Sequence, residues 1–229
     1  MNSARLPRIK ICCIGSAHEA ALAIDCGASA LGLVSHMPSG PGVIDDKSIA
    51  EIAANVPPPI GTFLLTSRQS VSDIIEQQRF CRTNTIQICD RLTHGTRRDL
   101  KDALPGISIV QVVHVTGPES VEEASRAAEH ADAILLDSGN QSLAVKELGG
   151  TGRTHDWTLS RAIRKRIGIP LFLAGGLTPE NVAQAIDEVG PFALDVCSGV
   201  RTDYRLDASK LRRFFLAVRK AAERSTASS

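Results

Sequence analysis

Aromatic residues and an excess of charge of either sign are both scarce in this sequence. Its 229 residues include six Phe, one Tyr and one Trp, and 26 basic residues nearly balance 25 acidic ones. Few aromatic rings leave little for stacking nucleobases, and a formal net charge of +1 attracts neither nucleic acid nor an acidic membrane. We therefore expect no nucleic-acid and no membrane partner. The core must be built from Ala, Val, Ile and Leu.

Long apolar runs and metal-binding cysteine spacings are also missing. No run of about 18 apolar residues occurs, so no membrane-spanning helix is expected. The six cysteines, at positions 12, 13, 26, 81, 89 and 197, show no C-x-x-C spacing, which argues against a zinc site or any other metal site. In a domain of this size without a signal-peptide core they are interpreted as reduced thiols, so we expect a cytoplasmic protein.

Short β-branched segments alternate with Ala-rich segments of helical spacing along the whole chain. This alternation predicts eight strands, each followed by a helix. The predicted strands are 8–14, 30–35, 60–66, 85–89, 107–115, 133–138, 170–175 and 191–198, and the predicted helices are 17–26, 45–55, 71–80, 97–104, 119–130, 158–166, 179–188 and 208–223.

Eight strand–helix units predict a single (β/α)8 barrel over residues 1–229, with a frayed tail from about residue 225. The competing fold is a doubly wound open sheet, which usually contains fewer units; no G-x-G-x-x-G motif follows the first strand here. In a barrel, catalytic groups lie at the carboxyl ends of the strands. The search for functional residues is thereby restricted to eight short segments.

The ends of the last two strands predict a phosphate site. Gly175 and Gly176 end strand seven before a helix predicted to begin at Pro179, and Ser198 and Gly199 end strand eight. Glycines allow a ligand to approach backbone N–H groups, and helix N-termini favour anions. The alternative is that these glycines only shape tight turns.

Cys12 and Asp137, at the ends of strands one and six, are the candidate acid–base pair. A thiolate accepts a proton well when nearby positive charge lowers its pKa, and Lys10 lies on the same face of strand one as Cys12. A carboxylic acid in an enclosed pocket stays protonated and serves as a general acid. The alternatives are a small buried thiol at Cys12 and a loop cap at Asp137.

Six segments match one known family in order along the chain: Lys10-Ile11-Cys12, Leu135-Leu136-Asp137-Ser138, Gly149-Gly150-Thr151-Gly152, Asp156-Trp157, Leu173-Ala174-Gly175-Gly176-Leu177 and Asp195-Val196-Cys197-Ser198-Gly199-Val200. Together they resemble the phosphoribosylanthranilate isomerase family of tryptophan biosynthesis. The resemblance implies a (β/α)8 barrel that needs no metal and no organic cofactor. Its partner would be a small phosphorylated sugar substrate.

The family reaction is an Amadori rearrangement, in which an N-linked phosphoribosyl amine becomes a 1-deoxyribulose 5-phosphate derivative. The resemblance implies that Asp137 opens the furanose ring as general acid and that Cys12 removes the C2 proton as general base. The glycines of the last two loops would hold the phosphate. Lys10, Gly150 and Gly152 are expected to contribute more weakly to substrate binding.

The sequence departs from the family pattern at three places. Cys13 stands where the family usually has Gly, Gly42 stands where an Arg holds the anthranilate carboxylate, and Cys89-Asp90 replaces His-Gly after strand four, where an inward Asp90 would repel an anion. Arg153 and Arg201 are candidate replacements by location only. Two alternatives therefore stay open: an isomerase for a different phosphorylated sugar amine, and a non-catalytic barrel that binds a phosphorylated ligand. Oligomeric state is not predicted.

Overall fold

The computed structural model describes residues 6–143 and 145–227. The barrel strands are β1 (Arg8–Ile11), β2 (Ala30–Val34), β3 (Gly61–Thr66), β4 (Thr85–Ile88), β5 (Ser108–His114), β6 (Ala133–Asp137), β7 (Leu171–Leu173) and β8 (Ala193–Val196). The helices are α1 (Ala17–Asp25), α2 (Asp46–Ala54), α3 (Val71–Cys81), α4 (Arg97–Ala103), α5 (Glu119–Ala128), α6 (Trp157–Arg166), α7 (Val182–Val189) and α8 (Ala208–Ala227).

The eight parallel strands close into one barrel, in which each strand pairs with the next and β8 pairs with β1. The β1–β8 register places Lys10 beside Asp195 and Ile11 beside Val196. The (β/α)8 prediction is therefore confirmed, and the open doubly wound sheet is excluded because such a sheet keeps two unpaired edges.

Residues alternate between the inside of the barrel and the layer under the helices, as the period-two geometry of a strand requires. On β6, Ile134 and Leu136 pack in the outer layer, whereas Leu135 packs in the cluster inside the barrel. Inside the barrel, the Phe63 and Phe172 rings lie 5.8 Å apart in a tilted pair. The side chains that end each strand on the inner face therefore converge at one mouth of the barrel.

Most segment boundaries agree with the prediction to within a few residues, and the differences fall at functional loops. Helix α7 begins at Val182 rather than Pro179, because residues 178–181 form a turn closed by the Asn181 side chain, which accepts from the Thr178 N–H at 2.8 Å. A short 3-10 helix at Ser198–Val200 and a two-stranded hairpin, β9 (Arg201–Thr202) with β10 (Arg205–Leu206), were not predicted.

Helix α8 continues to Ala227, past the predicted end at Glu223. The predicted tail from about residue 225 is therefore helical as far as Ala227, and residues 228–229 lie outside the described residues. Among the residues that the structure describes, no helix is both long enough and apolar enough to span a bilayer.

Candidate active site

A pocket opens at the carboxyl ends of the barrel strands. Seven of the nine residues predicted for the site line it: Cys12, Asp137, Gly150, Gly152, Gly175, Gly176 and Ser198. Lys10 and Gly199 lie behind the wall rather than on it. Two loops meet over the pocket, where the Ser39 Oγ donates to the Lys146 carbonyl oxygen at 2.7 Å.

A buried positive charge lies beside Cys12. The Lys10 ammonium is held by Asp195, with Nζ 2.8 Å from Oδ1, and the Lys10 side chain is fully buried. Burial alone would lower the pKa of Lys10, but attraction to Asp195 and then to Cys12 raises it above its usual value. Lys10 therefore remains protonated, and its charge faces the Cys12 sulfur.

Gly32 on β2 leaves the space that this cluster occupies. A Cβ at Gly32 would lie 2.9 Å from both the Cys12 Sγ and the Lys10 Nζ. Any side chain there would force the sulfur or the ammonium to move. The missing side chain of Gly32 thus allows the thiol and the cation to approach the same point inside the barrel.

Asp137 is a buried carboxyl group at the end of β6, with 8% of its surface exposed. Burial raises its pKa to about 6, although the hydrogen bond that the Ser138 N–H donates to it acts in the opposite direction. Gly149 lies directly above, since a Cβ there would be 2.7 Å from Asp137 Oδ2. At pH 7 the buried position thus keeps about one carboxyl group in ten protonated, far more than an exposed Asp would be.

The opposite side of the pocket is lined by backbone donors. Among the described residues, four that line this side (Gly152, Gly175, Gly176 and Ser198) and Gly199 just behind it have backbone N–H groups that donate no hydrogen bond to protein. Three loops bring these residues together: a Cβ on Gly152 would lie 3.5 Å from Ser198 Oγ. Unpaired N–H groups that converge on a concave surface are suited to bind an anion.

Close packing fixes this donor cluster. Gly176 has a φ of +60°, and a Cβ there would lie 2.6 Å from the Arg153 carbonyl carbon. A Cβ on Gly199 would lie 1.9 Å from the Leu177 carbonyl oxygen. Gly199 thus lets the loop after β8 pack on the loop after β7, which explains why it lies outside the pocket lining. The 3-10 helix at Ser198–Val200 follows the last barrel strand, β8, directly.

The charged residues Asp90, Arg153 and Arg201 each form an ion pair and do not line the pocket. Asp90 pairs with Lys146, with Oδ2 2.6 Å from Nζ, so its charge is balanced and it does not line the pocket. Arg201 is buried, pairs with Glu19 at 2.9 Å and donates to the Cys12 carbonyl oxygen at 3.1 Å. Arg153 pairs with Glu147.

Position 42 has no room for a side chain. Gly42 has a φ of +80°, and a Cβ there would lie 2.4 Å from the Cys13 Cβ. Cys13 and Gly42, which both depart from the family pattern, are therefore complementary. The Cys13 side chain occupies the space that a side chain at position 42 would need. The loop after β2 cannot present an Arg from this position without displacing Cys13.

Sequence reasoning missed three residues of the site. Asp195 is predicted only as part of a matching segment, and neither Gly32 nor Gln87 is among the predicted site residues. Gln87 lines the pocket, is 3% exposed, and its side-chain oxygen has no partner among the described residues. The alternation of side chains along a strand could have identified Asp195 and Gln87, since both lie on the inner face near a strand end.

The Lys10–Asp195 pair leads to a stability prediction. We expect Lys10→Met to lower the free energy of unfolding by about 3 kcal/mol, because it leaves the Asp195 carboxylate buried without its partner. The double variant Lys10→Met/Asp195→Leu should recover most of this loss, since an apolar pair replaces the ion pair. Urea denaturation of the three proteins measures the difference; a single variant as stable as the parent contradicts the pairing.

The barrel fold, with a thiol, a buried carboxyl group and unpaired backbone N–H groups at one mouth, is typical of (β/α)8-barrel isomerases acting on small phosphorylated molecules. The family model described as N-(5'phosphoribosyl)anthranilate (PRA) isomerase matches residues 9–217. The chain belongs to the N-(5'-phosphoribosyl)anthranilate isomerase family, as the sequence motifs predicted. This family comprises intramolecular oxidoreductases of tryptophan biosynthesis.

Individual relatives agree with this assignment. The chain is 36% identical to the N-(5'-phosphoribosyl)anthranilate isomerase of Halorubrum lacusprofundi over 211 residues, which cover 91% of this chain and 95% of the relative. The phosphoribosyl anthranilate isomerase of Thermotoga maritima superposes with a TM-score of 0.79 at 28% identity, covering 93% of this chain and 99% of its own.

A further solved structure is a phosphoribosyl anthranilate isomerase in complex with reduced 1-(o-carboxyphenylamino)-1-deoxyribulose 5-phosphate. It superposes with a TM-score of 0.76 at 27% identity, covering 93% of this chain and 99% of its own. The similarity to it extends over the whole barrel.

Proposed function

We propose that this protein isomerises N-(5'-phosphoribosyl)anthranilate to the 1-deoxyribulose 5-phosphate derivative, as a cytoplasmic step of tryptophan biosynthesis. One observation carries the proposal: Cys12, backed by the buried Lys10 charge, and the buried Asp137 carboxyl group both line a single pocket. A pure binding protein needs neither a charged group behind a thiol nor a carboxyl group with a raised pKa. The reaction needs one proton donor and one proton acceptor.

Asp137 acts first, as the general acid. It donates its proton to the furanose ring oxygen, the C1–O bond breaks, and the anilinic nitrogen forms a Schiff base with C1. The raised pKa of Asp137, about 6, supports this role because it increases the fraction of the carboxyl group that carries a proton near neutral pH.

Cys12 acts second, as the general base. Its thiolate removes the proton from C2, and the electron pair of the C–H bond forms the C1–C2 double bond while the Schiff base becomes an amine. The resulting enolamine converts to the ketone, so substrate and product are isomers and no atom is gained or lost. The Lys10 ammonium supports this step because its positive charge favours a negative sulfur.

The five unpaired backbone N–H groups would hold the substrate phosphate. Backbone donors suit a dianion because several of them point at one concave surface and require no side-chain ordering. Gln87 would position the sugar: the orphaned side-chain oxygen would accept a hydrogen bond from a substrate hydroxyl or N–H group, which removes the cost of its burial.

A second candidate keeps this chemistry and changes the amine. It is favoured by the wall on which the anthranilate ring would lie, where Val34, Met37, Leu65 and Leu148 line the pocket. Among the described residues that line the pocket there is no Lys or Arg, and Gly42 cannot carry one. A phosphorylated sugar amine with an uncharged aromatic group would fit this wall without an unpaired carboxylate.

The two candidates are separated by turnover of freshly generated phosphoribosylanthranilate, followed by the loss of its fluorescence. We expect turnover at a rate typical of enzymes, about 1 s⁻¹ or faster. Folded protein that binds inorganic phosphate yet leaves this substrate unchanged would contradict the proposed reaction. The same protein would then be tested with the phosphoribosyl derivative of aniline.

The phosphate site leads to a separate prediction. We expect Gly176→Ala to raise KM about tenfold with a smaller effect on kcat, because an added Cβ collides with the backbone at Arg153 and is strained at a φ of +60°. Gly168→Ala is the matched control, since nothing lies within 4 Å of a Cβ there. Inhibition by inorganic phosphate should weaken only in the Gly176 variant; equal inhibition of both would contradict the assignment.

A further inference from the structure

Two thiols that the proposed reaction does not use meet at the edge of the pocket. The Cys13 Sγ and the Cys197 Sγ lie 2.7 Å apart, and both residues line the pocket. Cys13 follows β1 and Cys197 follows β8, and these two strands are neighbours in the barrel. The Cys12 N–H donates to the Val196 carbonyl oxygen at 2.9 Å, and Cys13 and Cys197 are the next residues along each segment. Both are free cysteines.

The backbone of Cys13 is held in an unfavourable conformation. Its φ of +62° lies in the left-handed region, which costs a residue with a Cβ about 1 kcal/mol or more relative to glycine. Glycine would fit this position without cost, yet a thiol is present and its Cβ fills the space over Gly42. A non-glycine residue kept in a strained conformation at a pocket is a reason to look for a role of its side chain.

The electrostatic surroundings make the two thiols unequal. The pKa of Cys13 is raised well above its usual value. The largest causes are its hydrogen bonds to the Cys12 and Cys197 thiols, and burial is the next largest. The pKa of Cys197 is lowered, chiefly by its hydrogen bond with Cys13 and then, against the effect of burial, by the charge of Arg201. Cys197 is therefore the more reactive thiolate and Cys13 the adjacent thiol that resolves it.

We propose that Cys13 and Cys197 form a reversible disulfide in response to hydroperoxides, and that this modification lowers turnover. The Cys197 thiolate attacks one peroxide oxygen, which breaks the O–O bond and leaves a sulfenic acid and, once protonated, water. The Cys13 sulfur then displaces the sulfenic hydroxyl group, which leaves as a second water molecule. Two thiols and one hydrogen peroxide thus give one disulfide and two waters.

The effect on turnover follows from where the disulfide lies. A disulfide requires an S–S distance of about 2.05 Å, so the segments carrying Cys13 and Cys197 must approach each other. These residues adjoin Cys12 on one strand end and Ser198 on the other. Proton transfer is sensitive to displacements well below 1 Å, so we expect kcat/KM to fall about fivefold or more in the oxidised protein.

The test is peroxide oxidation of the reduced full-length protein, followed by thiol counting and non-reducing peptide mass spectrometry. We expect the count to fall from six cysteines by two. We also expect a peptide containing Cys12 and Cys13 to be linked to the one containing Cys197, and dithiothreitol to restore kcat/KM. Cys26→Ser, which alters a half-exposed thiol outside the pocket, should behave like the parent protein.

Cys13→Gly and Cys197→Ala should each abolish the link. During the peroxide treatment that inactivates the parent, each variant should keep the activity that it has in its untreated, reduced form. No linked peptide in the parent protein would overturn the proposal. A link that survives in Cys13→Gly would overturn it as well, since Cys12 would then be the partner. A link that leaves kcat/KM unchanged would overturn its effect on turnover. The linked peptide is read independently of any substrate, so this test can fail while the proposed isomerisation stands.

Discussion

Cys12→Ala is expected to lower kcat for phosphoribosylanthranilate at least a thousandfold while leaving the barrel intact. General base catalysis contributes about 10²–10⁴ to a rate, and the two neighbouring pocket thiols, Cys13 and Cys197, contact each other. Ala fits the space of a buried Cys, so the free energy of unfolding should change by less than about 2 kcal/mol. Steady-state turnover and urea denaturation measure the two quantities.

Cys26→Ala is the control for the Cys12 variant. This residue follows helix α1 at its C-terminal end and does not line the pocket, so its loss should change kcat by less than about twofold. Cys12→Ala should still bind inorganic phosphate with an affinity near that of the parent, because the backbone N–H groups of the proposed phosphate site are untouched. Full activity in Cys12→Ala would remove the thiol from the mechanism.

Asp137→Asn is expected to lower kcat about a thousandfold and, at the same time, to stabilise the fold. The amide cannot donate the proton that opens the furanose ring, so the first step loses its acid. The amide also avoids the cost of burying a carboxylate. Loss of activity together with a gain in stability distinguishes a catalytic carboxyl group from a structural cap, whose removal would only destabilise.

The sign of the stability effect follows from the raised pKa. The folded pKa of Asp137 is about 6, above the unfolded value of 3.8, so the unfolded chain releases this proton first as pH rises. The stabilising contribution of the protonated group is complete below about pH 4 and is lost between pH 4 and pH 6. At pH 8 we expect Asp137→Asn to be about 3 kcal/mol more stable than the parent, since one pKa unit corresponds to about 1.4 kcal/mol.

Denaturation of both proteins at pH 8 and at pH 3.5 tests this account. The difference between the parent and Asp137→Asn should be present at pH 8 and absent at pH 3.5. A variant less stable than the parent at pH 8 would show that the carboxylate is held by favourable contacts, and its role as general acid would then lose its physical basis.

Local sequence patterns were enough to predict the barrel and one side of the site. Period-two alternation put Lys10 and Cys12 on one face of β1, and the rule for strand ends selected Asp137 and Ser198. Each of these inferences needs only the geometry of one strand and the direction in which it enters the barrel. The structure places all four at the same mouth, with Lys10 behind the pocket wall.

Contacts between distant segments could not be predicted in the same way. The Lys10–Asp195 pair joins residues 185 positions apart and depends on the register with which β8 closes onto β1. The fit of Cys13 over Gly42 depends on how the loop after β2 folds back. Helix α7 was predicted to start too early because a proline favours a first helical turn, whereas the Asn181 side chain closes a separate turn here.

The most direct test of the central claim is the rate at which phosphoribosylanthranilate fluorescence disappears with the parent protein and with Cys12→Ala, at equal concentrations of folded protein under reducing conditions. The account predicts rapid loss with the parent and a rate at least a thousandfold lower with the variant. Equal rates in the two proteins, or no loss with the parent, would contradict the assignment of Cys12 as the base of this isomerisation.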